Sequence, residues 1–262
     1  MNILDQIIAS KRIEVERRKA ERPEHLLEQS PFFHRDTLSL KRSLRDPSKT
    51  GIITEFKRRS PSKGIINGDA DVSDVTGKYT AYGASGLSVL TDADYFGGSE
   101  ADLQQARLNN VPILRKDFMV DEYQVLEARA MGADVILLIA ACLSPSEVLK
   151  LASFAHNLQL EVLLELHAEE ELDHMNAYTD MVGINNRNLK TFEVDMDKSM
   201  SMAEKIGKAA LRIAESGIRE PEDVISFRAV GFEGFLIGER FMKEEDPGLA
   251  FKTFADRIKT LE

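Results

Sequence analysis

Val111-Pro112-Ile113-Leu114-Arg115-Lys116-Asp117-Phe118 is a short apolar run that ends in charge. Its isoleucine and leucine content predicts a strand over 113–116, and Lys116 stands where that strand stops. The same sequence of apolar run, polar terminus, loop and amphipathic helix recurs along the chain in both directions. Strands are expected at 52–56, 87–91, 113–116, 135–140, 162–165, 182–185, 211–215 and 235–238, with helices between them and a closing helix from about 247 to 260. Tyr82-Gly83-Ala84, Met131-Gly132-Ala133-Asp134 and Val230-Gly231-Phe232 suit helix C-caps, while Ser99, Asp121, Ser144 and Glu220-Pro221 suit helix starts. Strict alternation of strand and helix calls for a parallel sheet. No GxGxxG or GxxxxGK follows the first strand, which disfavours a doubly wound nucleotide-binding sheet. The expected fold is therefore α/β, a (β/α)8 TIM barrel.

With 262 residues, 43% of them hydrophobic, the chain can bury one barrel-sized core, and 1–262 is expected to form a single barrel domain. Within it, residues 1–47 read as an N-terminal helical extension. Its first helix ends at Pro23, and a second, short one carries Leu38, Leu40 and Leu44 before Pro47. Such an extension can cap the barrel floor or serve as a flap over the site. The net charge of −10 argues against a surface that holds nucleic acid. One cysteine, Cys142, forms no internal disulfide, and neither CxxC nor HExxH occurs. No stretch of about 18 apolar residues exists, so no membrane partner is expected and the cytoplasm is the expected compartment. Asp69, Asp71 and Asp74 lack the glycine and terminal glutamate of a calcium loop and read as helix N-capping; no metal is expected.

The expected strand ends are Glu55, Thr91, Lys116, Ala140, Glu165, Asn185, Glu215 and Gly238. In a barrel all eight meet at the C-terminal face, where the chemistry of this architecture is done. Any one charge there could mark the ordinary boundary between core and water. Several together point to a site. Strand alternation puts Lys116 and Leu114 on the inner face, turns Arg115 toward the helices, and gives Glu55 and Lys57 a common side. Ser216-Gly217 after the seventh strand and Gly238-Glu239 after the eighth could be simple turns, but small residues at those two ends also suit a phosphate cradle. Lys57, Arg58, Arg59, Lys63, Lys116 and Arg187 collect basic charge on the same rim of an acidic chain, which points to a small anionic substrate. His167 reads as a cap or solvated side chain, and Cys142 as core filling.

Over essentially its whole length the chain resembles the indole-3-glycerol-phosphate synthase family. The resemblance is carried by Glu55-Phe56-Lys57-Arg58-Arg59-Ser60-Pro61-Ser62, Leu90-Thr91 with Tyr95-Phe96, Leu114-Arg115-Lys116-Asp117-Phe118, Leu164-Glu165, Gly183-Ile184-Asn185-Asn186-Arg187-Asn188-Leu189, Ala214-Glu215-Ser216-Gly217-Ile218 and Ile237-Gly238. It implies closure of an indole ring in tryptophan biosynthesis. The anthranilate-bearing deoxyribulose 5-phosphate loses carbon dioxide and water, with no cofactor. By the same resemblance Lys116 is the acid, Glu165 the base, and Lys57 a carboxylate partner or second acid. Glu55, Asn185 and Glu215 hold sugar hydroxyls and tune the lysines. Ser60, Ser216, Gly217 and Gly238 hold phosphate, with the Glu239 backbone N–H beside them; the Glu239 carboxylate must turn away, or that half of the site is weaker. Phe96 and Phe118 flank the anthranilate ring, or serve as core packing alone; Arg187 adds charge, and the loop 58–68 is a candidate lid. A monomer is expected, with other tryptophan-pathway enzymes as candidate partners. Two rival functions use the same barrel: a Schiff-base lyase on a sugar phosphate, and a non-catalytic barrel that binds a phosphate ligand.

Overall fold

The computed structural model describes residues 3–187, 195–207 and 210–262; Asn188 and Leu189 lie outside the described residues. Eight parallel strands close into a barrel: β1 (Ile52–Phe56), β2 (Gly86–Leu90), β3 (Ile113–Lys116), β4 (Val135–Ile139), β5 (Glu161–Leu166), β6 (Met181–Asn185), β7 (Leu211–Glu215) and β8 (Gly234–Ile237). Each pairs with its sequence neighbours, and β1 joins β8 to close the ring. The register sets the strand ends side by side, with Leu90 opposite Lys116, Ile139 opposite Glu165, and Asn185 opposite Glu215.

The expected strands are present with shifts of a residue or so, while the helix expected between β5 and β6 is a 3-10 helix, Glu169–His174. Ala140, expected to end β4, instead begins a 3-10 turn over Ala140–Cys142. Strands β2 and β8 begin on Gly86 and Gly234 rather than one residue later. A Cβ at Gly86 would lie 2.6 Å from Leu40 Cδ1, and one at Gly234 would lie 3.2 Å from Leu44 Cδ1. Both glycines thus make room for side chains entering the barrel from below. Capping follows the sequence closely: Asp71, Ser99, Asp121 and Ser144 accept backbone N–H groups at their helix starts. Glu220-Pro221 also begins a helix.

The barrel interior is filled by Ile53, Leu114, Leu137, Leu163, Ile213 and Leu236, each buried. A larger apolar layer lies between strands and helices. Arg115 points outward into that layer as expected, and its guanidinium donates to Thr91, Gln124, Asp117 and Glu127. Partners on all three nitrogens are what make so deep a guanidinium tolerable.

The N-terminal extension reaches both ends of the barrel. Helix α1 (Ile3–Glu21) reaches the C-terminal end of the barrel, where Ile3, Leu4 and Ile7 line the mouth. After the short α2 (Glu24–Leu27), helix α3 (Leu40–Leu44) plugs the opposite end with Leu40 and Leu44. Glu161, at the start of β5, anchors that plug by accepting the Leu40 and Lys41 N–H groups at 2.8 and 3.1 Å. A carboxylate at a helix N-terminus satisfies otherwise orphaned donors. Among the described residues, no helix is long and apolar enough to cross a membrane.

Candidate active site

Parallel strands of a closed barrel bring their C-terminal ends to one rim, and here they surround a cavity of about 950 Å³. Lys116, from the end of β3, stands at its centre. Its Nζ lies 2.8 Å from Glu165 Oε2 on β5 and 3.3 Å from Glu215 Oε2 on β7. Asn185, on β6 between those two strands, donates to Glu165 Oε1 at 3.0 Å. Lys57, just past β1, pairs with Glu55 two residues back, as their shared side requires. All six expected polar residues therefore border one cavity, in two groups: Lys116 with Glu165, Glu215 and Asn185, and Lys57 with Glu55.

Two glycines create the space for these carboxylates. A Cβ at Gly183 on β6 would lie 1.9 Å from Glu215 Oε1, and one at Gly238 would lie 2.5 Å from Glu55 Oε1. Gly238, expected beside phosphate, makes room for the Glu55 carboxylate.

Charge pairing in this buried cluster sets the protonation states. Burial opposes the Lys116 cation, but the carboxylates of Glu165, Glu215 and Glu55 overcome it and raise the pKa above the usual lysine range. Glu165 feels the same contest in reverse: desolvation pushes up, while Lys116 and His167 bring it well below the ordinary carboxylate value. Glu215 goes the other way. Burial, reinforced by the neighbouring Glu165 charge, pushes it up to about 7 despite Lys116.

The residues expected around phosphate, Ser60, Ser216, Gly217, Gly238, Glu239 and Arg187, line the same cavity. Ser216 and Gly217 have consecutive positive φ values of 65° and 76°. The left-handed region costs a serine on the order of 1 kcal/mol, and such a conformation persists only where neighbours hold it. Asn186 supplies that hold, donating to the Ser216 carbonyl at 2.6 Å. The Glu239 carboxylate meets Arg187 Nη2 at 3.3 Å and Lys63 Nζ at 3.6 Å. One wall is aromatic, with the Phe96 and Phe118 rings 6.1 Å apart and tilted.

Part of the expected basic rim is engaged elsewhere. Arg58 is committed to Asp102 at 2.7 Å, and Arg59 donates to the Ala93 and Asp94 carbonyls, so neither lines the cavity. Arg219, Arg240 and Lys243, past β7 and β8, do line it. The candidate lid, 58–68, forms a small hairpin in which Arg59–Ser60 pairs with Gly64–Ile65.

A family model described as indole-3-glycerol phosphate synthase matches residues 4–254. The chain belongs to the indole-3-glycerol phosphate synthase family. Among its relatives, the indole-3-glycerol phosphate synthase of Bacteroides thetaiotaomicron is 48% identical over 259 residues, covering 98% of this chain and 99% of that one. That of Polaromonas sp. is 45% identical over 254 residues, covering 95% and 96%. Among solved structures, thiamine phosphate pyrophosphorylase from Pyrococcus furiosus matches with a TM-score of 0.61 at 15% identity, covering 83% of this chain and 98% of that chain. That likeness concerns the fold alone.

In this member of the indole-3-glycerol phosphate synthase family, a contact to Glu165 escaped the sequence reading, as did the cavity-lining Arg219, Arg240 and Lys243. His167 is neither a helix cap nor solvated: its ring is largely buried and Nε2 lies 3.0 Å from Glu165 Oε1. Burial lowers its pKa, but Glu165 more than compensates and raises it. The available signal was its spacing, since a residue two positions past Glu165 returns to the same side of the strand.

Proposed function

We propose that this chain catalyses the indole-3-glycerol phosphate synthase reaction with Lys116 as the principal acid and Glu165 as the base. Ring closure on 1-(2-carboxyphenylamino)-1-deoxyribulose 5-phosphate joins an aromatic carbon to the ketone carbon, and the ketone oxygen needs a proton as that bond forms. The Lys116 ammonium supplies it, in a barrel whose floor is apolar and where charge acts strongly. Loss of carbon dioxide restores electrons to the ring. Water then leaves from the former carbonyl carbon, and Glu165 takes the ring-amine proton. Lys57, held by Glu55 across the mouth, receives the anthranilate carboxylate or protonates the departing hydroxyl.

Binding is divided between walls. Ser60, Ser216, Gly217 and Gly238 take the phosphate with help from Arg187, while Phe96 and Phe118 take the ring. Asn185 and Glu215 hold sugar hydroxyls.

The observation that carries this reading is the 2.8 Å contact of Lys116 with Glu165 inside the mouth. It also disfavours the Schiff-base alternative, because an imine-forming lysine needs a neutral amine and this one is held as a cation. The test is Lys116→Ala, followed by indole fluorescence. Turnover is expected to disappear while substrate still binds. Near-normal turnover, or a borohydride-trapped lysine adduct in the wild type, would overturn the assignment.

A further inference from the structure

We propose that Lys11, on the extension outside the barrel, is a positioning residue that sets the aromatic wall of the site by clamping Asp92 to Asp117. Lys11 is only 1% exposed, and its ammonium lies 2.9 Å from Asp92 Oδ2 and 3.1 Å from Asp117 Oδ1, with Glu14 at 2.8 Å. Both aspartates are themselves buried. Asp92 caps the helix Ala93–Phe96 by accepting the Tyr95 and Phe96 N–H groups at 2.8 and 3.3 Å. Asp117 accepts the Phe118 N–H at 2.8 Å and is fixed in turn by Thr91 and Arg115. One cation therefore ties together the two carboxylates that hold the backbones of Phe96 and Phe118. Asp117 also directly follows Lys116, so the same clamp braces the loop that begins at the proposed acid.

Stability alone is a weak reason for this arrangement. A buried ion pair is often no more stable than an apolar replacement of equal volume, because desolvation offsets the attraction. What the charge does provide is geometry: a long side chain from α1 that fits only when both loops stand in one register. Beside it, Ser10 Oγ and Tyr95 Oη approach to 3.3 Å, a second contact between α1 and the Phe96 helix.

The inference rests on the proposed reaction, and the experiment separates the two. Full-length wild type, Lys11→Met, Lys11→Arg and the double variant Lys11→Met with Asp92→Asn are compared for kcat, KM and Tm. Asparagine caps a helix as well as aspartate and removes one unpaired buried charge. Lys11→Met is expected to lose about tenfold or more in kcat, as small misplacements near reacting atoms do, with KM within about threefold because the phosphate wall is separate. Lys11→Arg is expected to keep most of kcat. The double variant is expected to regain Tm without regaining kcat. If kcat returns together with Tm, or Lys11→Met never loses it, the lysine only stabilises the fold and the positioning role is overturned. Absence of indole product from the wild type would instead overturn the reaction itself.

Discussion

Lys116 Nζ lies 2.8 Å from Glu165 Oε2, so the proposed acid and base neutralise each other across the barrel mouth. Each is weakened by the other: the lysine holds its proton too tightly and the carboxylate attracts one too poorly.

Replacing Glu165 by glutamine preserves the shape but removes the base, and its single amide oxygen can accept from Lys116 or from Asn185 but not from both. We expect kcat to fall about 10²- to 10⁴-fold with KM nearly unchanged. A steady-state assay by indole fluorescence checks this, and a kcat within tenfold of wild type sinks the role.

Gly183→Ala places a methyl group where Glu215 Oε1 stands. The carboxylate cannot share that space, so the variant should lose about 1–3 kcal/mol of stability and displace Glu215 from Lys116. Urea unfolding of the single variant and of Gly183→Ala with Glu215→Ala is the check. The second substitution should recover most of the loss, and failure to do so places the strain elsewhere.

The pH dependence of stability should carry the signature of Glu215. Its pKa is raised from an ordinary 4.5 to about 7. As pH rises through that window the unfolded chain ionises this group while the folded chain keeps its proton. Folded stability therefore falls, by up to about 3 kcal/mol. Glu165 is depressed instead, so its contribution is present above its unfolded value and is lost only in more acidic solution. Glu215→Gln should flatten the decline between pH 5 and 8 by about 1–3 kcal/mol. Parallel curves for wild type and variant would show that Glu215 ionises normally.

Glu239 occupies two cations, Arg187 and Lys63, beside the proposed phosphate cradle, and they hold its pKa down against burial. A bound phosphate must compete with that carboxylate. Glu239→Gln is expected to lower the inhibition constant of inorganic phosphate about two- to tenfold, the scale of a partly exposed ion pair. An unchanged or higher constant means that Glu239 is not a competitor.

The order of strands, their approximate ends and the helix caps were legible in the sequence because each depends on local chemistry: apolar periodicity, a serine or aspartate at a helix start, glycine after a helix. Alternation alone correctly turned Arg115 outward and put Glu55 beside Lys57. Residues on one barrel rim could likewise be collected from strand ends without knowing their distances. Which of them touch was a different matter. Lys116 and Glu165 are 49 positions apart, and Lys116 and Glu215 are 99 apart; barrel closure and register, rather than any local period, bring them together. The same holds for Leu40 and Leu44 beneath the floor and for Lys11 behind the aromatic wall. It holds too for Arg58 and Arg59, whose charge belongs to other partners. Local sequence specifies where a side chain can point, and only the packed barrel decides which opposite charge it finds there.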